Sequence, residues 1–291
     1  MKKINKLKDL ISQNQPAYYI STSDFSYNNG KRLSKTWADF IRLDTEHSSF
    51  DFDGINKFMK GLIDGGPTKS GHLTPTVLAE LPFNGESLEN VKANSWQIKQ
   101  LLAKGIHGLI LCHTTSHLAV KEFVENCRYP LNKIGVSRKL NIGKRGHGGQ
   151  KMASKIWGIS ERDYLNKADV WPLNPNGEII LGIKFETNKG VKNSFKSCSI
   201  PGICFAELGL GDIYLNNYIP SSPLKFPLPK KINILRNKVW KNAKKNKLKF
   251  LGHVTENNIL EQIDKGISMI RVYDKKIASK GKLHSKRKKP W

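Results

Sequence analysis

Short apolar runs rich in β-branched and aromatic residues alternate with longer stretches of helical periodicity, and they do so eight times along the 291-residue chain. The runs at 17–22, 39–43, 76–80, 108–112, 178–185, 203–208, 249–253 and 268–273 read as strands. Between them, 55–62, 96–104 and 257–265 repeat apolar residues at helical spacing; the last puts Ile259, Leu260 and Ile263 on one face and stops at Gly266. Eight strand–helix units in a chain of this length are what a (β/α)8 barrel needs. The competing architecture, a doubly wound open sheet, calls for a G-x-G-x-x-G turn after its first strand, and none is present. The expectation is an α/β chain with one barrel over 1–274 and a basic, solvated tail over 275–291 holding at most one helical turn.

Charge bears on which partners the barrel could serve. The formal net charge is +25, and a non-enzymatic, nucleic-acid-binding protein is one reading of it. The excess comes from 40 Lys and only 9 Arg, whereas base and phosphate readers lean on the bidentate Arg fork. No RNA-binding or zinc-finger motif accompanies it, so no specific nucleic-acid partner is expected. The longest apolar runs are too short to span a bilayer, and no apolar stretch follows the basic MKKINKLKDL start, so neither membrane nor secretion is expected. Four cysteines without a C-x-x-C pair read as reduced, structural thiols of a cytoplasmic protein.

In a parallel barrel the chemistry gathers where strands end, and four clusters fall there or in long connections. Asp44-Thr45-Glu46-His47 follows the second strand and offers a base with an orienting carboxylate, or else an ordinary helix-capping turn. Lys184-Phe185-Glu186-Thr187 closes the fifth; alternation sends Lys184 and Glu186 to one side, where both need a partner, a metal or a substrate. Gly209-Leu210-Gly211-Asp212 follows the sixth, either a plain turn or a close backbone approach to a ligand with Asp212 as a hard-cation donor. Glu186 and Asp212 together suit an octahedral divalent ion. Arg145-Gly146-His147-Gly148-Gly149-Gln150 lies in the long 131–175 connection and offers an anion site or a flexible loop. His113 and His117 have metal-binding spacing but no third ligand nearby in sequence, so they read as structural.

Taken together, the segments ADFIRLDTEHSSFDFDGI, WQIKQLLAKGIHGLILC, CRYP with KRGHGG, IKFETNKGVKN and PGICFAELGLGDI resemble, in order and spacing, the HpcH/HpaI aldolase and citrate lyase family. These are metal-dependent pyruvate aldolases of the 2,4-dihydroxyhept-2-ene-1,7-dioate aldolase kind. The resemblance runs from about Leu7 to Asp274. It implies a TIM barrel of the phosphoenolpyruvate/pyruvate-domain type, a dimer-based homo-oligomer that extends to hexamers, and a 2-oxo-acid or aldehyde substrate. It implies a divalent cation, Mg²⁺ or Mn²⁺ first and Co²⁺ after them, held by Glu186 and Asp212. It implies His47 as the catalytic base with Asp44 close by, and backbone contact of the oxo acid at Gly211. The implied reaction is retro-aldol cleavage or aldol formation through a pyruvate-type enolate.

The sequence departs from that pattern in three places. The segment that resembles the family's V-R-P is Ala79-Glu80-Leu81-Pro82, so Glu80 stands for an Arg; Lys184 stands for a Gln; and Ala103 stands for an acid that raises the histidine's basicity. Two accounts are open. Either Glu80 and Lys184 form an inward ion pair that replaces Arg and Gln together, with Arg145 or Lys184 stabilising charge on the substrate, or the barrel binds metal and oxo acid with weak or altered lyase activity. Glu80, Lys184, Arg145 and Gly211 are accordingly the candidate substrate-binding residues. A separate enzymatic reading makes Lys184 a Schiff-base nucleophile, its pKa lowered by burial.

Overall fold

The computed structural model describes residues 3–220, 224 and 226–287. The strands are β1 (Ala17–Thr22), β2 (Phe40–Leu43), β3 (Thr76–Asn84), β4 (Gly108–Cys112), β5 (Val170–Trp171), β6 (Ile179–Phe185), β7 (Phe205–Leu208), β8 (Lys249–His253) and β9 (Met269–Arg271). All pairings are parallel, and the ring runs β1-β2-β3-β4-β6-β7-β8-β9 and back to β1. This is the expected closed eight-stranded TIM barrel, with each expected strand in it. The two-residue β5 pairs only with β6, outside the ring. β3 outruns its expected end, passing Pro82 where its pairing with β4 becomes irregular between Glu80 and Asn84; a proline is tolerated where the ladder needs no donor.

Alternation along the strands sorts the interior into layers. Tyr19, Phe40, Leu78, Ile110, Ile180, Phe205, Leu251 and Met269 pack together as an apolar inner cluster. Leu7, Leu10 and Ile11 of the helix Lys6–Ile11 join that cluster and close the barrel from below. Two residues beyond the apolar layer, Ser21, Arg42, Glu80, Glu207, His253 and Arg271 line a pocket at the C-terminal mouth. On β6 the sequence places Gly182 between Ile180 and Lys184, and the gap is filled by a neighbour. A Cβ at Gly182 would lie 2.1 Å from Cζ of Phe205. Gly182→Ala is therefore expected to destabilise the fold by about 1–3 kcal/mol through overpacking, read from the urea midpoint.

The connection 131–175 is more ordered than its glycines suggest. It contains the helices Gln150–Trp157 and Glu161–Lys167. The glycines precede the first of these, whose Ala153, Ile156 and Trp157 are buried. The connection 216–229 lies partly outside the described residues.

The C-terminal segment also differs from a solvated extension. Residues 275–284 form the helix Lys275–His284, started by the Asp274 side chain on the Lys276 amide. Beyond it Arg287 makes a two-pronged ion pair with Asp39, 2.7 Å on each arm, with its side chain almost wholly buried. Asp39 immediately precedes β2, so this contact lies at the end of the barrel opposite the pocket. Residues 288–291 lie outside the described residues. No described helix is long and apolar enough to cross a membrane, and all four cysteines are buried and unpaired.

Candidate active site

Four charged side chains project from four strands into one layer above the apolar floor. Arg42 on β2 donates to Glu207 Oε2 on β7 at 2.9 Å and to the Tyr19 hydroxyl at 3.0 Å, and its second arm donates to Glu80 on β3. Lys184 on β6 lies 2.9 Å from Glu80 Oε1 and 3.0 Å from Glu186 Oε1, and it also bonds Glu46. Burial opposes ionisation of Glu80 and Glu207, but the Arg42 guanidinium, with Lys184 helping, outweighs it and holds both carboxyls below their ordinary range. Burial likewise works against the Lys184 ammonium, and the carboxylates around it hold it charged, above the ordinary lysine range. The inward Glu80–Lys184 pair is thus present. The guanidinium that the sequence lacks at position 80 is supplied one strand away, by Arg42.

Above this layer the turn after β2 arranges the rim. The Asp44 carboxylate accepts from the His47 backbone amide at 2.9 Å, and the Thr45 hydroxyl ties the turn to the Glu80 carbonyl. Glu46 folds inward with its side chain only 7% exposed, while His47, at 59%, faces solvent. Glu46 Oε2 lies 3.3 Å from His47 Nε2. A carboxylate therefore contacts this imidazole even though Ala103 carries none. Across the mouth, the His113 amide donates to Glu186 Oε2 at 2.8 Å, and His113 Nε2 lies 3.7 Å from Glu46 Oε1 and 3.9 Å from Glu186 Oε2.

The pocket encloses about 230 Å³. Asp44, His47, Glu80, Lys184, Glu186, Gly211 and Asp212, all singled out in the sequence, line it together. Asp212 enters from the first turn of the helix Leu210–Leu215. Gly209 is required by close approach, since a Cβ there would stand 2.4 Å from Glu186 Oε1. A Cβ at Gly211 would meet nothing within 4 Å. The backbone there borders open pocket, as a ligand-contacting turn requires. Arg145 is not brought to this group. It is buried between Tyr129 and Tyr164, its guanidinium 4.5 Å and 5.3 Å from their ring centres and 2.5 Å from the Tyr164 hydroxyl. It ties Tyr129, just past the helix His117–Cys127, to Tyr164 of the helix Glu161–Lys167 and does not line the pocket. Its RGHGG run leads into the helix Gln150–Trp157, with the Gln150 carboxamide accepting from Gly148. Arg42, Glu207, His253 and Arg271 also line the pocket, and none of them stands out in the sequence. Glu46, from the Asp44–His47 cluster, and His113, read from sequence as structural, meet Glu186 beside it.

The donor chemistry fits a divalent cation. Ligand atoms of Glu46, His113 and Glu186 all lie within 4.8 Å of one another. Glu46 Oε1 is buried with no hydrogen-bond partner, an expensive state for a carboxylate oxygen. Burial raises the Glu186 carboxyl to about 8; Lys184 pulls it back and Glu46 pushes it up. An acid raised in this way adds stability that is complete below its ordinary 4.5 and is lost as pH rises through 8. His107, lowered by burial to about 3, and His253, also lowered mainly by burial, act oppositely: their contribution is lost as pH falls below 6.5. From about pH 6.5 to 8 the histidine contributions are constant, and Glu186 is opposed only near the upper edge by Lys282, which burial lowers to about 8. In chelator, the unfolding free energy of the wild type should drop there relative to Glu186→Gln by up to about 1.4 kcal/mol per pH unit, by urea titration of both proteins at both ends of that range.

Fold and site together define a parallel (β/α)8 barrel whose C-terminal mouth is built of paired carboxylates and histidines. No protein-family model matches the chain, and no curated protein sequence does. Solved structures do resemble it over nearly its whole length. An HpcH/HpaI aldolase/citrate lyase family protein from Burkholderia cenocepacia J2315 is 18% identical at a TM-score of 0.69, covering 97% of this chain and 98% of that one. The HpcH/HpaI aldolase of Desulfitobacterium hafniense DCB-2 is 16% identical at a TM-score of 0.70, covering 99% and 98%. The citrate lyase β subunit of M. tuberculosis, complexed with oxaloacetate and magnesium, is 11% identical at a TM-score of 0.52, covering 94% and 97%. These likenesses establish the fold, and the structures come from the family that the sequence motifs resemble.

Proposed function

We propose that the protein is a divalent-metal-dependent carbon–carbon lyase that cleaves or forms a 2-oxo-acid aldol. The observation that carries this reading is the excess of buried carboxylates at the mouth. Glu46, Glu80, Glu186 and Glu207 face only Arg42 and Lys184 among their ion-pair partners of fixed charge, and a dication that displaces the Glu186 proton restores balance. The likeness to a citrate lyase β subunit complexed with a 2-oxo acid and magnesium adds support. Glu186 and Asp212 would hold Mg²⁺ or Mn²⁺, which when bound supplies Lewis-acid polarisation of a keto oxygen.

The chain's own residues do the rest. His47 stands exposed at the rim, with its backbone fixed by Asp44 and its imidazole by Glu46, placed to take the proton of a substrate hydroxyl. The turn Gly209–Asp212 offers backbone to the oxo-acid carboxylate. Arg42 offsets the negative charge of Glu80, so position 80 does not present an unpaired carboxylate to a developing enolate. Lys184 is held as an ammonium by its carboxylates, which is the wrong state for a Schiff-base nucleophile; borohydride with pyruvate should leave it unmodified. The unpaired thiols support a cytoplasmic setting.

The test is a retro-aldol assay with 4-hydroxy-2-oxo acids. Dialysis against EDTA should abolish pyruvate release and Mn²⁺ should restore it; activity that survives complete metal removal overturns the mechanism. In the metal-loaded protein, His47→Ala should lower kcat by about 10²–10⁴ if the imidazole is the proton acceptor.

A further inference from the structure

We propose that Glu46 and His113 are themselves ligands of the bound cation, forming with Glu186 a three-donor site that selects a first-row transition ion over Mg²⁺. The inference rests on the metal-dependent reading above and goes beyond the Glu186–Asp212 pair that the motifs imply. Three loops, after β2, β4 and β6, deliver these side chains to one point. Their ligand atoms all lie within 4.8 Å of one another, with His113 Nε2 at 3.7 Å from Glu46 Oε1 and 3.9 Å from Glu186 Oε2. Donors bound at about 2.1 Å to a single ion stand about 3.0–3.4 Å apart, so a small contraction closes the set.

The Glu46 side chain shows what the set is for. Its Oε2 is used by Lys184 and lies near His47, but Oε1, in a side chain only 7% exposed, has no hydrogen-bond partner and points into this group. A glutamate needed only to neutralise Lys184 would be redundant, because Glu80 and Glu186 already contact that ammonium. His113 is positioned in keeping with a ligand. Its backbone amide is spent on Glu186 Oε2, which fixes the residue, and its imidazole, 23% exposed, has Nε2 facing Glu46 Oε1 and Glu186 Oε2. The residue adopts φ of +45°, a left-handed conformation that asparagine also tolerates. An imidazole beside two carboxylates is a poor set for Mg²⁺, which prefers oxygen and water, and a good one for Mn²⁺, Co²⁺ or Zn²⁺.

The full chain, stripped with EDTA and reloaded with Mn²⁺, gives the readout. Pulsed electron paramagnetic resonance of the Mn²⁺ protein should show coupling to a directly bound nitrogen. His113→Asn should remove that coupling and weaken Mn²⁺ binding by at least about tenfold in calorimetry, with the thermal midpoint of the metal-free form unchanged. Glu46→Gln should weaken binding similarly while keeping the nitrogen signal, which guards against a folding defect in either variant. Bound Mn²⁺ without nitrogen coupling, or coupling that persists in His113→Asn (pointing to His47), overturns the inference while leaving the metal-dependent reading intact. A wild type that binds neither Mn²⁺ nor Co²⁺ by calorimetry overturns both.

Discussion

Asp39→Ala is expected to lower folding stability by about 3–5 kcal/mol, a large part of what a domain has to spend. Asp39 is fully buried just before β2. One of its oxygens accepts from the Tyr18 amide at 3.0 Å, and its carboxylate also meets Lys6 at 2.9 Å and both arms of Arg287 at 2.7 Å. Burial works against the charged carboxylate, yet Arg287 and Lys6 hold it ionised below the ordinary range. Alanine removes the anion that two buried cations share, and the cost of burying those charges then falls on the fold. The three residues tie the first helix, the base of β2 and the end of the described chain to one point. A chain shortened to residue 274 should lose most of this contact and unfold at clearly lower urea. Replacing Lys6, Asp39 and Arg287 together by apolar residues should recover much of the loss, because no charge is then left unpaired. Since the folded pKa of Asp39 is depressed, its contribution is present above the ordinary aspartate value and fades as pH falls through the folded one. A loss under 1 kcal/mol in Asp39→Ala would mean that the C-terminal contact carries little stability.

That contact also shows where sequence reading stops. The eight barrel strands are legible because each is a local pattern, an apolar run of the right length bounded by breakers. The helix Lys275–His284 is not legible in that way, because lysines mask its packing: only Ala278 and Gly281 are buried in it, and Lys282 lies with its ammonium 5.8 Å from the Tyr18 ring centre. At the site, Asp44, His47, Glu186, Gly211 and Asp212 were visible because each sits beside a strand end. Arg42 and Glu207 were visible in principle. Phe40-Ile41-Arg42 and Phe205-Ala206-Glu207 share one alternation, an inward aromatic followed by an inward charge, and neither charge has a local partner. Their pairing comes from ring closure, which no local pattern encodes. The His113–His117 spacing has no third ligand nearby in sequence, yet Glu46 and Glu186 arrive beside His113 from other loops. Arg145 shows the opposite error: glycines around an arginine suggested an anion site, whereas Tyr129 and Tyr164 had already enclosed the guanidinium.

Arg42→Leu is the substitution expected to damage fold and site together, again by about 3–5 kcal/mol. It leaves Glu207 with only His253, whose Nε2 is 3.9 Å away, and Glu80 with only Lys184 as a charged partner. The two carboxyls would then rise toward protonation, and Lys184 would be drawn toward Glu80 and away from Glu46 and Glu186. Activity should fall with stability, and Mn²⁺ affinity should change as well, because the carboxylates that compete for Lys184 include the proposed ligands. The companion measurement is a double-mutant cycle between Glu80→Gln and Lys184→Met. Side chains in one hydrogen-bonded network couple by about 0.5–3 kcal/mol, and their 2.9 Å contact predicts a value inside that range. A coupling near zero would mean that Arg42 alone neutralises Glu80, and that Lys184 serves the Glu46–Glu186 side of the mouth. Strong coupling in a protein that also cleaves an oxo-acid aldol would mean that an inward glutamate can stand where the motif places an arginine, because the guanidinium has moved to the next strand and the ammonium has taken the amide's place. Strong coupling without cleavage would leave a barrel with the same charge balance but without the lyase reaction.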